Sequence, residues 1–509
     1  MAVNIKSATN IGIDSLIINV EVDITTGIPS FAIVGLADAA VKEAKERVRT
    51  AIVNSGFEFP LGRIVINLAP ADIRKLGTLL DLPIAIGILM ESNQIPKKDL
   101  DEYLLIGELS LAGELKKIRG TISIILKGLE CGIKNFIIPR ENIHEVSEIE
   151  EGNLYLISTL KEGIDYIIYN DLLPLDFNEE YKKEPIKINN DFNSIIGQCS
   201  SKRALEIAAA GRHNLALFGN PGSGKTMLAK AFPSILPPLS KKEKVEVAKI
   251  YSVCGMIDTY KNIDIPFREP HNTITKIALI GGGKDIKPGE ITLAHNGVLY
   301  LDEVLEFKKE VLEVLRLPLE EGVVRIDRLN EKVELPSKFQ LIISFNPCPC
   351  GLMSIIDKGS DKCECSEYEI RRYQKRLSKA LKDRIDMFNY VPTLNLEDLK
   401  ETHKGESSIE IRNRVIRARN LQEERLKGTC YNFNSDIKGK DIFEFCKISK
   451  NAKKILENYF KVNSPSLRAY GKVIKVAQTI ADLELQAEIK AEHVIEAISY
   501  RKDVNGEIV

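Results

Sequence analysis

The stretch Gly219–Thr226 reads GNPGSGKT, and it decides the fold of the segment around it. It carries every fixed position of the phosphate-binding pattern G-x-x-x-x-G-K-[ST]. An apolar run, Leu215–Phe218, precedes it and a helical pattern, Met227–Phe232, follows, which is the strand, loop and helix order of nucleotide-binding folds. Backbone N–H groups of such a loop surround phosphates, and the helix N-terminus adds positive potential. The stretch therefore predicts a nucleoside triphosphate site.

Two side chains of this loop have specific predicted roles. Lys225 is expected to contact the β- and γ-phosphates, and the Thr226 hydroxyl is expected to ligate Mg²⁺. The remaining ATP-binding positions are Gly219, Asn220, Pro221, Gly222, Ser223 and Gly224.

Composition limits the class of protein. At 509 residues, several domains are expected. A formal net charge of −1 provides no global basic field, so a nucleic acid would have to bind a local basic surface. The longest apolar stretch, Leu82–Met90, is too short to span a bilayer, and the N-terminus has no apolar signal core. These features predict a cytoplasmic protein without membrane contact, whose nine cysteines are thiols or metal ligands.

Four regions differ in pattern, and together they predict a multidomain α/β protein. Residues 1–170 alternate strand and helix patterns, 171–190 have the charge and prolines of a linker, 191–392 hold the phosphate loop, and 393–509 are mainly helical. The predicted strands outside the nucleotide site are Ser15–Ile24, Arg63–Leu68 and Asn135–Ile138, and the predicted helices are Ala37–Asn54, Gly120–Glu130, Ile409–Leu426 and Leu467–Leu485.

Two further strands complete the predicted nucleotide site. Val298–Glu303 (VLYLDE) is apolar and ends in two acids, of which Asp302 suits holding Mg²⁺ through water and Glu303 suits polarising the attacking water. Such acids can also be merely solvated, but their place after a phosphate loop favours catalysis. The run Gln340–Phe345 leads to Asn346, whose amide can contact the γ-phosphate or orient the water. This order is typical of AAA+ ATPases with a parallel sheet, which act as rings because an arginine of one subunit completes its neighbour's site.

Five longer segments are informative together: FREPHNTITKIALIGGG (Phe267–Gly283), PGEITLAHNGVLYLDE (Pro288–Glu303), NPCPCG (Asn346–Gly351), LSKALKDRIDMFNYVP (Leu377–Pro392) and SLRAYGKVIKVAQTIADLE (Ser466–Glu484). They resemble the Mg-chelatase-like AAA+ family called YifB or ComM, and the resemblance runs nearly end to end. It implies a hexameric ATPase or helicase that binds ATP and Mg²⁺ and drives branch migration of single-stranded or branched DNA during integration of transforming DNA.

The same resemblance implies roles for two arginines. Arg384 matches the arginine finger, which acts in trans, and Arg468 matches the second sensor, which acts in cis from a C-terminal helical lid. Both could instead be surface or ion-pair arginines, and the two assignments could be exchanged.

Basic side chains are candidates for DNA contact. The hairpin pattern Gly322–Leu335 and the insert Phe267–Gly289 correspond to elements that face the ring pore in related ATPases. Exposed loops carry such charges anyway, so solvated side chains are the alternative. The arginines of Ile409–Leu426 are spread around the helix axis, which indicates a solvated helix rather than a DNA-binding strip. The candidate contacts are Lys284, Lys287, Arg325 and Arg328.

Four cysteines form two C-x-C pairs, Cys348 with Cys350 and Cys363 with Cys365. Four thiolates suit tetrahedral, structural Zn²⁺, although the usual spacing is C-x₂₋₄-C and four ordinary thiols are the alternative. Free cysteines in this polar stretch would be exposed to oxidation, which favours zinc. The other five are predicted to be small core residues, namely Cys131, Cys199, Cys254, Cys430 and Cys446.

The N-terminal region resembles the proteolytic domain of Lon-type Ser-Lys proteases, which has the ribosomal S5 domain 2-like fold. The similar segments are Arg74–Gly87 and Ile106–Arg140, and their alignment places Leu79 at the nucleophile position and Ile122 at the lysine position. Neither residue can perform that chemistry. Thr78 and Ser123 lie one residue away, but a shifted alignment still provides no lysine. We therefore expect a non-proteolytic scaffold that helps the ring assemble or binds a partner.

Two functions remain open after the protease is disfavoured. The first is a DNA motor of the kind the family resemblance implies. The second is a remodeller of a protein client, resembling the motor subunit of magnesium chelatase. That motor is expected to lack a Lon-like domain, so residues 1–170 argue against a pigment role.

Overall fold

The structure is a computed structural model of the chain. No helix in the part of the chain that it describes is both long and apolar enough to cross a bilayer. The described residues are 2–36, 39–73, 75, 78–146, 149, 151–175, 190–257, 265–283, 286–327, 332–353, 363–394, 405–463 and 466–502.

The described residues of the N-terminal region form three sheets packed with helices. The smallest sheet is an antiparallel pair of two-residue strands, Glu108–Leu109 and Leu115–Lys116. The apolar run predicted to be too short for a membrane is part of a helix, Asp81–Glu91, in which every residue from Asp81 to Met90 is buried, as expected for a helix that is apolar all round. The elements are β1 (Val3–Ile11), β2 (Asp14–Thr25), β3 (Ser30–Val34), α1 (Ala39–Asn54), β4 (Arg63–Ala69), α2 (Asp81–Glu91), β5 (Tyr103–Leu105), β6 (Glu108–Leu109), β7 (Leu115–Lys116), α3 (Thr121–Glu130), β8 (Asn135–Pro139), α4 (Ile143–Val146), β9 (Asn153–Ile157) and α5 (Leu160–Tyr169).

The first sheet has the order β1-β2-β4-β3, with β3 parallel to β4 and the other pairs antiparallel. The second is a parallel sheet, β5-β8-β9. Side chains along β2 alternate between deeply and partly buried positions, as the pleat of a half-buried strand requires.

The centre of the molecule is a parallel sheet that confirms the predicted parallel α/β core. Its strands are short, apolar and almost fully buried because helices cover both faces. The elements are α6 (Cys199–Gly211), β10 (Leu215–Phe218), α7 (Lys225–Ala231), α8 (Lys241–Cys254), β11 (Phe267–Arg268), α9 (Lys276–Ile280), β12 (Gly281–Gly282), β13 (Lys287–Pro288), α10 (Glu290–Leu293), β14 (Val298–Leu301), α11 (Lys309–Glu313), α12 (Arg316–Glu321), β15 (Val323–Asp327), β16 (Lys332–Pro336), β17 (Gln340–Phe345), α13 (Glu367–Gln374), α14 (Lys379–Lys382) and β18 (Met387–Tyr390).

The strand order of this sheet is β11-β14-β17-β10-β18, and every pair is parallel. The phosphate loop follows β10, an interior strand between β17 and β18, and the carboxyl ends of the neighbouring strands lie at the same edge. In an open parallel sheet this edge is where ligands bind.

The C-terminal region packs as helices against the central sheet. It shares one apolar cluster with α6, β10 and β18, including Val415, Val473 and Leu217. Its helices are α15 (Ser408–Leu426), α16 (Asp441–Phe445), α17 (Lys450–Asn463), α18 (Leu467–Leu483) and α19 (Ala491–Ser499).

The N-terminal region contacts the central region through α8 and the β15–β16 hairpin. The Gly120 N–H donates to the Ser252 carbonyl oxygen over 3.2 Å, and Lys249 pairs with Asp14 at 2.8 Å. The turn between β1 and β2 packs against the hairpin, where a Cβ on Gly12 would lie 2.6 Å from Val333. The two regions are therefore joined by backbone, charge and apolar contacts.

The predicted elements are present with boundaries shifted by at most two residues, as is usual at fraying ends. The predicted linker 171–190 falls mostly on residues outside the described part of the chain. Of its described residues, Leu175 donates its N–H to the Leu154 carbonyl oxygen over 2.8 Å.

Candidate nucleotide site

The phosphate loop runs from the end of β10 into α7 and passes close to other backbone. A Cβ on Gly219 would lie 2.3 Å from the Val391 carbonyl oxygen, so only glycine fits there. Gly224, which caps α7, has a φ of 93°. The Ser223 hydroxyl is buried and has no hydrogen-bond partner among the described residues, which leaves it available to a phosphate oxygen. The loop therefore has the close backbone approach that phosphate binding needs.

Lys225 is held over this loop. Its Nζ donates to the carbonyl oxygens of Gly219 and Asn220 at 2.7 and 2.9 Å, and to the Asn346 Oδ1 at 3.2 Å. Burial lowers the pKa of the lysine, while Asp302 and Glu303 oppose that shift. The structure thus brings the phosphate-loop lysine and the polar tip of β17 into direct contact.

Asp302 lies beside the loop at the end of β14. The Thr226 hydroxyl donates to its Oδ2 over 2.9 Å. Burial would raise the pKa of Asp302, but hydrogen bonds from Ser344, Tyr300 and Thr226 outweigh it and the pKa lies below its usual value. An ionised carboxylate beside a hydroxyl is a donor set that fits Mg²⁺.

Glu303 follows in a strained backbone conformation. Its φ is 49°, which is uncommon for a residue other than glycine and is concentrated at functional sites. Its N–H donates to Asp302 Oδ1 at 3.1 Å and to Ser344 Oγ at 3.2 Å, and its side chain is exposed. These bonds fix the backbone while the carboxylate stays available to water.

Sequence reasoning missed two residues that support this site. Ser344, buried on β17, hydrogen-bonds Asp302 and also the Glu303 N–H. Gln198, just before α6, donates its amide to the Ser223 and Pro392 carbonyl oxygens at 3.1 and 2.7 Å. No local pattern marks a serine inside an apolar strand, and the positive φ of Gln198, 56°, cannot be read from the sequence.

The predicted arginine finger lies at the other edge of the sheet. Arg384 comes three residues before Met387, which is level with Leu215, the first residue of β10. Its side chain is 12% exposed and pairs with Glu320 at 2.6 Å. The whole length of β10 therefore separates Arg384 from the phosphate loop of the same chain.

Arg468 lies at that same edge. Both arginines line one cavity of about 1260 Å³ between the central sheet and the C-terminal helices. Near the start of α18, Lys472 donates to the Ile385 carbonyl oxygen over 2.8 Å. Directly after its end, Glu484 pairs at 3.5 Å with Arg203 of α6, five residues after Gln198, whose amide contacts the phosphate loop at Ser223.

The expected role of Arg468 in cis does not agree with this position. The 16 residues from Arg468 to Glu484 span roughly 24 Å of helix. An arginine side chain is much shorter than that distance. Exchanging the finger and sensor assignments does not produce an arginine that acts in cis, because Arg384 is also far from the phosphate loop of its own chain. Both arginines thus lie at the sheet edge opposite the phosphate loop of the chain that carries them.

The four cysteines of the two C-x-C pairs come together in space. Their sulfur atoms all lie within 4.8 Å of one another. The sulfur of Cys348 is 3.3 Å from that of Cys350 and 3.6 Å from that of Cys363, far beyond the roughly 2.05 Å of a disulfide. The cluster can chemically hold a tetrahedral metal ion.

The prediction for the other cysteines was only partly right. Cys446 is buried and Cys254 is half-buried, but Cys131, Cys199 and Cys430 are exposed. Each of the three exposed thiols lies at or near a helix boundary, where the chain turns at the surface. Spacing along the sequence does not reveal this.

The candidate DNA contacts have different surroundings. Lys284 and Arg328 lie outside the described residues. Lys287 is exposed on β13, which pairs with β12. Arg325 on the β15–β16 hairpin pairs with Glu321 at 2.5 Å and Glu334 at 2.8 Å, so a phosphate would have to displace two carboxylates.

The arginine-rich helix α15 is not a simple solvated helix. Arg412 donates to the Ser234 carbonyl oxygen at 2.9 Å, Arg419 donates to the Ala209 carbonyl oxygen at 3.1 Å, and Arg414 and Arg425 pair with Glu206 and Asp482 at 2.5 and 2.7 Å. The expectation of a solvated face is therefore wrong for these four, which attach the helix to its neighbours. Arg417 is exposed.

The positions aligned with a protease dyad are apolar and buried. Leu79 and Ile122 belong to one buried cluster. Thr78 donates its hydroxyl to Glu108, and Ser123 donates to the Ile13 carbonyl oxygen over 2.7 Å. Both aligned positions thus serve core packing.

The fold and the site define a P-loop protein of the AAA+ class. A family model described as magnesium chelatase, subunit ChlI, matches residues 191–399, and one described as its C-terminal part matches 405–501. A third, described as subunit ChlI of Mg-chelatase, matches residues 20–142. The argument from residues 1–170 against a pigment role stays a prediction.

Individual relatives match nearly end to end. The competence protein ComM of Haemophilus influenzae is 39% identical over 98% of this chain and 97% of its own length. The protein YifB of Salmonella typhimurium is 39% identical over 96% of this chain and 95% of its own length. The magnesium-chelatase 67 kDa subunit of Heliobacterium mobile is 27% identical over 38% of this chain and 35% of its own length. The chain belongs to the ComM/YifB family of Mg-chelatase-like AAA+ proteins.

Proposed function

We propose that this protein is an ATP hydrolase that assembles as a ring, with six subunits as the expected number, and uses the energy to move branched or single-stranded DNA. The observation that carries the ring is the shared position of Arg384 and Arg468, at the sheet edge opposite the phosphate loop of their own chain. The arginine side chains at each nucleotide therefore come from a neighbouring subunit.

At each site, residues of the chain that carries the phosphate loop have distinct roles. Lys225 and the loop N–H groups bind the phosphates, and Thr226 and Asp302 hold Mg²⁺, which neutralises charge on the phosphates when bound. Glu303 orients and polarises the attacking water, and Asn346 positions it against the γ-phosphate. Ser344 keeps Asp302 and the Glu303 backbone in place.

The arginines complete the site from the next subunit. Arg384 acts as the finger and Arg468 as the sensor, both in trans. Arg384 must leave Glu320 to do so, and this exchange of partners provides a way to link ATP binding in one subunit to a movement in its neighbour.

DNA as the substrate is supported by the relationship to a competence protein over nearly the full length of both chains. Contacts from Lys284, Lys287, Arg325 and Arg328, a non-proteolytic scaffold role for residues 1–170 and a structural zinc ion at the four cysteines belong to the same proposal. Remodelling of a protein client is the second candidate, because family models named for a magnesium chelatase subunit match all three regions.

The deciding experiment measures ATP hydrolysis with a panel of nucleic acids. The panel contains no DNA, single-stranded DNA, duplex, fork and four-way junction, with Lys225→Ala as the inactive control. Faster turnover and strand displacement with fork or junction support the DNA motor. Turnover that no DNA changes, together with stimulation by one purified protein client, would overturn it in favour of the remodeller. Particle images with a non-hydrolysable nucleotide count the subunits.

A further inference from the structure

The loop that carries the first cysteine pair packs directly against the phosphate loop. Gly351 has a φ of 76°, and a Cβ there would lie 2.6 Å from Pro221. With the Asn220 amide oriented so that its nitrogen faces acceptors, it donates to the carbonyl oxygens of Gly351 and Met353 at 3.1 Å each. Asn220 and Pro221, two consecutive residues of the phosphate loop, thus contact residues 348–353, which we call the cysteine loop.

The same loop connects directly to the polar tip of β17. Only Pro347 separates Asn346, which contacts Lys225, from Cys348. Beyond the second cysteine pair, Gln374 of α13 donates back to the Pro347 carbonyl oxygen over 3.0 Å. The cysteine cluster is therefore connected to both the phosphate loop and the end of β17.

The sulfur geometry fits one tetrahedral ion. Four sulfurs at about 2.3 Å from zinc are about 3.8 Å from one another. The sulfurs of Cys348, Cys350 and Cys363 are 3.3, 3.5 and 3.6 Å apart. The Met353 and Leu352 N–H groups donate to the sulfurs of Cys348 and Cys350 at 3.4 and 3.5 Å, the outer-shell bonds that support metal thiolates.

We propose that a zinc ion at Cys348, Cys350, Cys363 and Cys365 positions the phosphate loop, so that metal occupancy sets the affinity of this protein for ATP. This inference rests on the proposed ATPase function and adds a mode of control to it. The ion joins the first cysteine pair to the second, which lies 13 residues further along the chain. When the ion is absent, bringing the two pairs together costs conformational entropy that no metal bond offsets. Gly351 and Met353 are then no longer held in contact with Asn220 and Pro221.

The first test uses the full-length protein with and without metal. The purified protein is expected to contain one zinc per chain, and Co²⁺ substitution is expected to produce the absorption bands of tetrahedral thiolate coordination. Removal of the ion by a chelator should weaken binding of a fluorescent ATP analogue about tenfold, the equivalent of one or two lost hydrogen bonds. Added Zn²⁺ should restore it.

Two pairs of variants separate the metal from the contact. Cys350→Ser should lose both metal and affinity, while Cys131→Ser, also an exposed thiol, should lose neither. Gly351→Ala should keep the metal but lose affinity. Its control is Gly132→Ala, because Gly132 has a similar φ of 82° with nothing within 4 Å of the added Cβ.

The outcomes distinguish this inference from the function on which it rests. Unchanged ATP affinity after the metal is removed, or in Gly351→Ala, overturns the link between the two sites even if zinc is bound. Absence of stoichiometric metal overturns the metal site itself. Lys225→Ala should bind zinc but no nucleotide. If the wild-type protein binds zinc but no nucleotide, the proposed function fails instead.

Discussion

The Thr226 hydroxyl donates a hydrogen bond of 2.9 Å to the Asp302 carboxylate, which connects the first turn of α7 to the end of β14. The two residues are far apart in the chain, and the sheet order places their strands on either side of β17. From the intervening strand β17, Ser344 hydrogen-bonds Asp302, and Asn346 at its end accepts a hydrogen bond from Lys225. The nucleotide site is thus built by three parallel strands that end together.

Glu303→Gln should bind ATP with wild-type affinity but hydrolyse it about 10²- to 10⁴-fold more slowly, because the amide cannot polarise the attacking water. Steady-state hydrolysis and nucleotide binding are measured on the same preparation. Glu306→Gln is the control, since this nearby exposed acid pairs with Arg376 and not with the site. Normal turnover in Glu303→Gln would show that another group is the base.

Ser344→Ala should lower turnover by about 10- to 100-fold, because hydrogen bonds to a charged group are worth roughly that factor. The loss should be larger in kcat than in ATP binding, since Ser344 positions Asp302 and Glu303 without reaching the phosphates. Ser337→Ala is matched to it, because the Ser337 hydroxyl is also buried but has no partner among the described residues. Equal effects of the two substitutions would mean a general loss of packing.

Arg384→Ala and Arg468→Ala should each be inactive alone and regain activity when mixed with Lys225→Ala subunits. In a random ring roughly a quarter of the sites then combine an intact lysine with an intact arginine from the next subunit. Arg417→Ala, an exposed arginine of α15, should stay active by itself. If mixing rescues neither variant, the arginines act within their own chain and the ring proposal loses its main support.

Glu246→Gln should make the protein less sensitive to acid. The hydrogen bond from His295 lowers the pKa of Glu246 from 4.5 to about 2, with help from Asn296 and against partial burial. A carboxyl whose pKa is lowered on folding adds stability above pH 4.5 and loses it as the pH falls toward 2. His295, whose pKa burial lowers, acts in the same direction and is retained in the variant.

The measurement for this prediction is the urea midpoint at pH 5 and at pH 3. The wild-type midpoint should fall more steeply between the two than that of Glu246→Gln. Glu424→Gln, an exposed acid on α15, serves as the control and should follow the wild type. Parallel curves for all three proteins would contradict the assignment.

Local patterns in the sequence single out many residues of the candidate nucleotide site. Lys225, Thr226, Asp302 and Asn346 each lie at the end of an apolar strand or in a glycine loop, and parallel strands bring such ends to one edge. The structure has Lys225 in contact with Asn346 and Thr226 in contact with Asp302. Ser344 and Gln198 were missed, since their importance depends only on which side chains lie opposite them.

The sequence by itself determined that the chain has a phosphate loop, an acidic strand and a parallel core, because these depend on residue order and short-range periodicity. Tertiary structure decided which edge of the sheet each arginine occupies. The direction of α18, set by contacts at Lys472 and Glu484, places Arg468 at the cavity that Arg384 also lines, away from the phosphate loop of its own chain. Tertiary structure also placed the cysteine loop against Asn220 and Pro221. These segments are distant in the chain, and they meet because β10 and β17 are neighbours in the sheet.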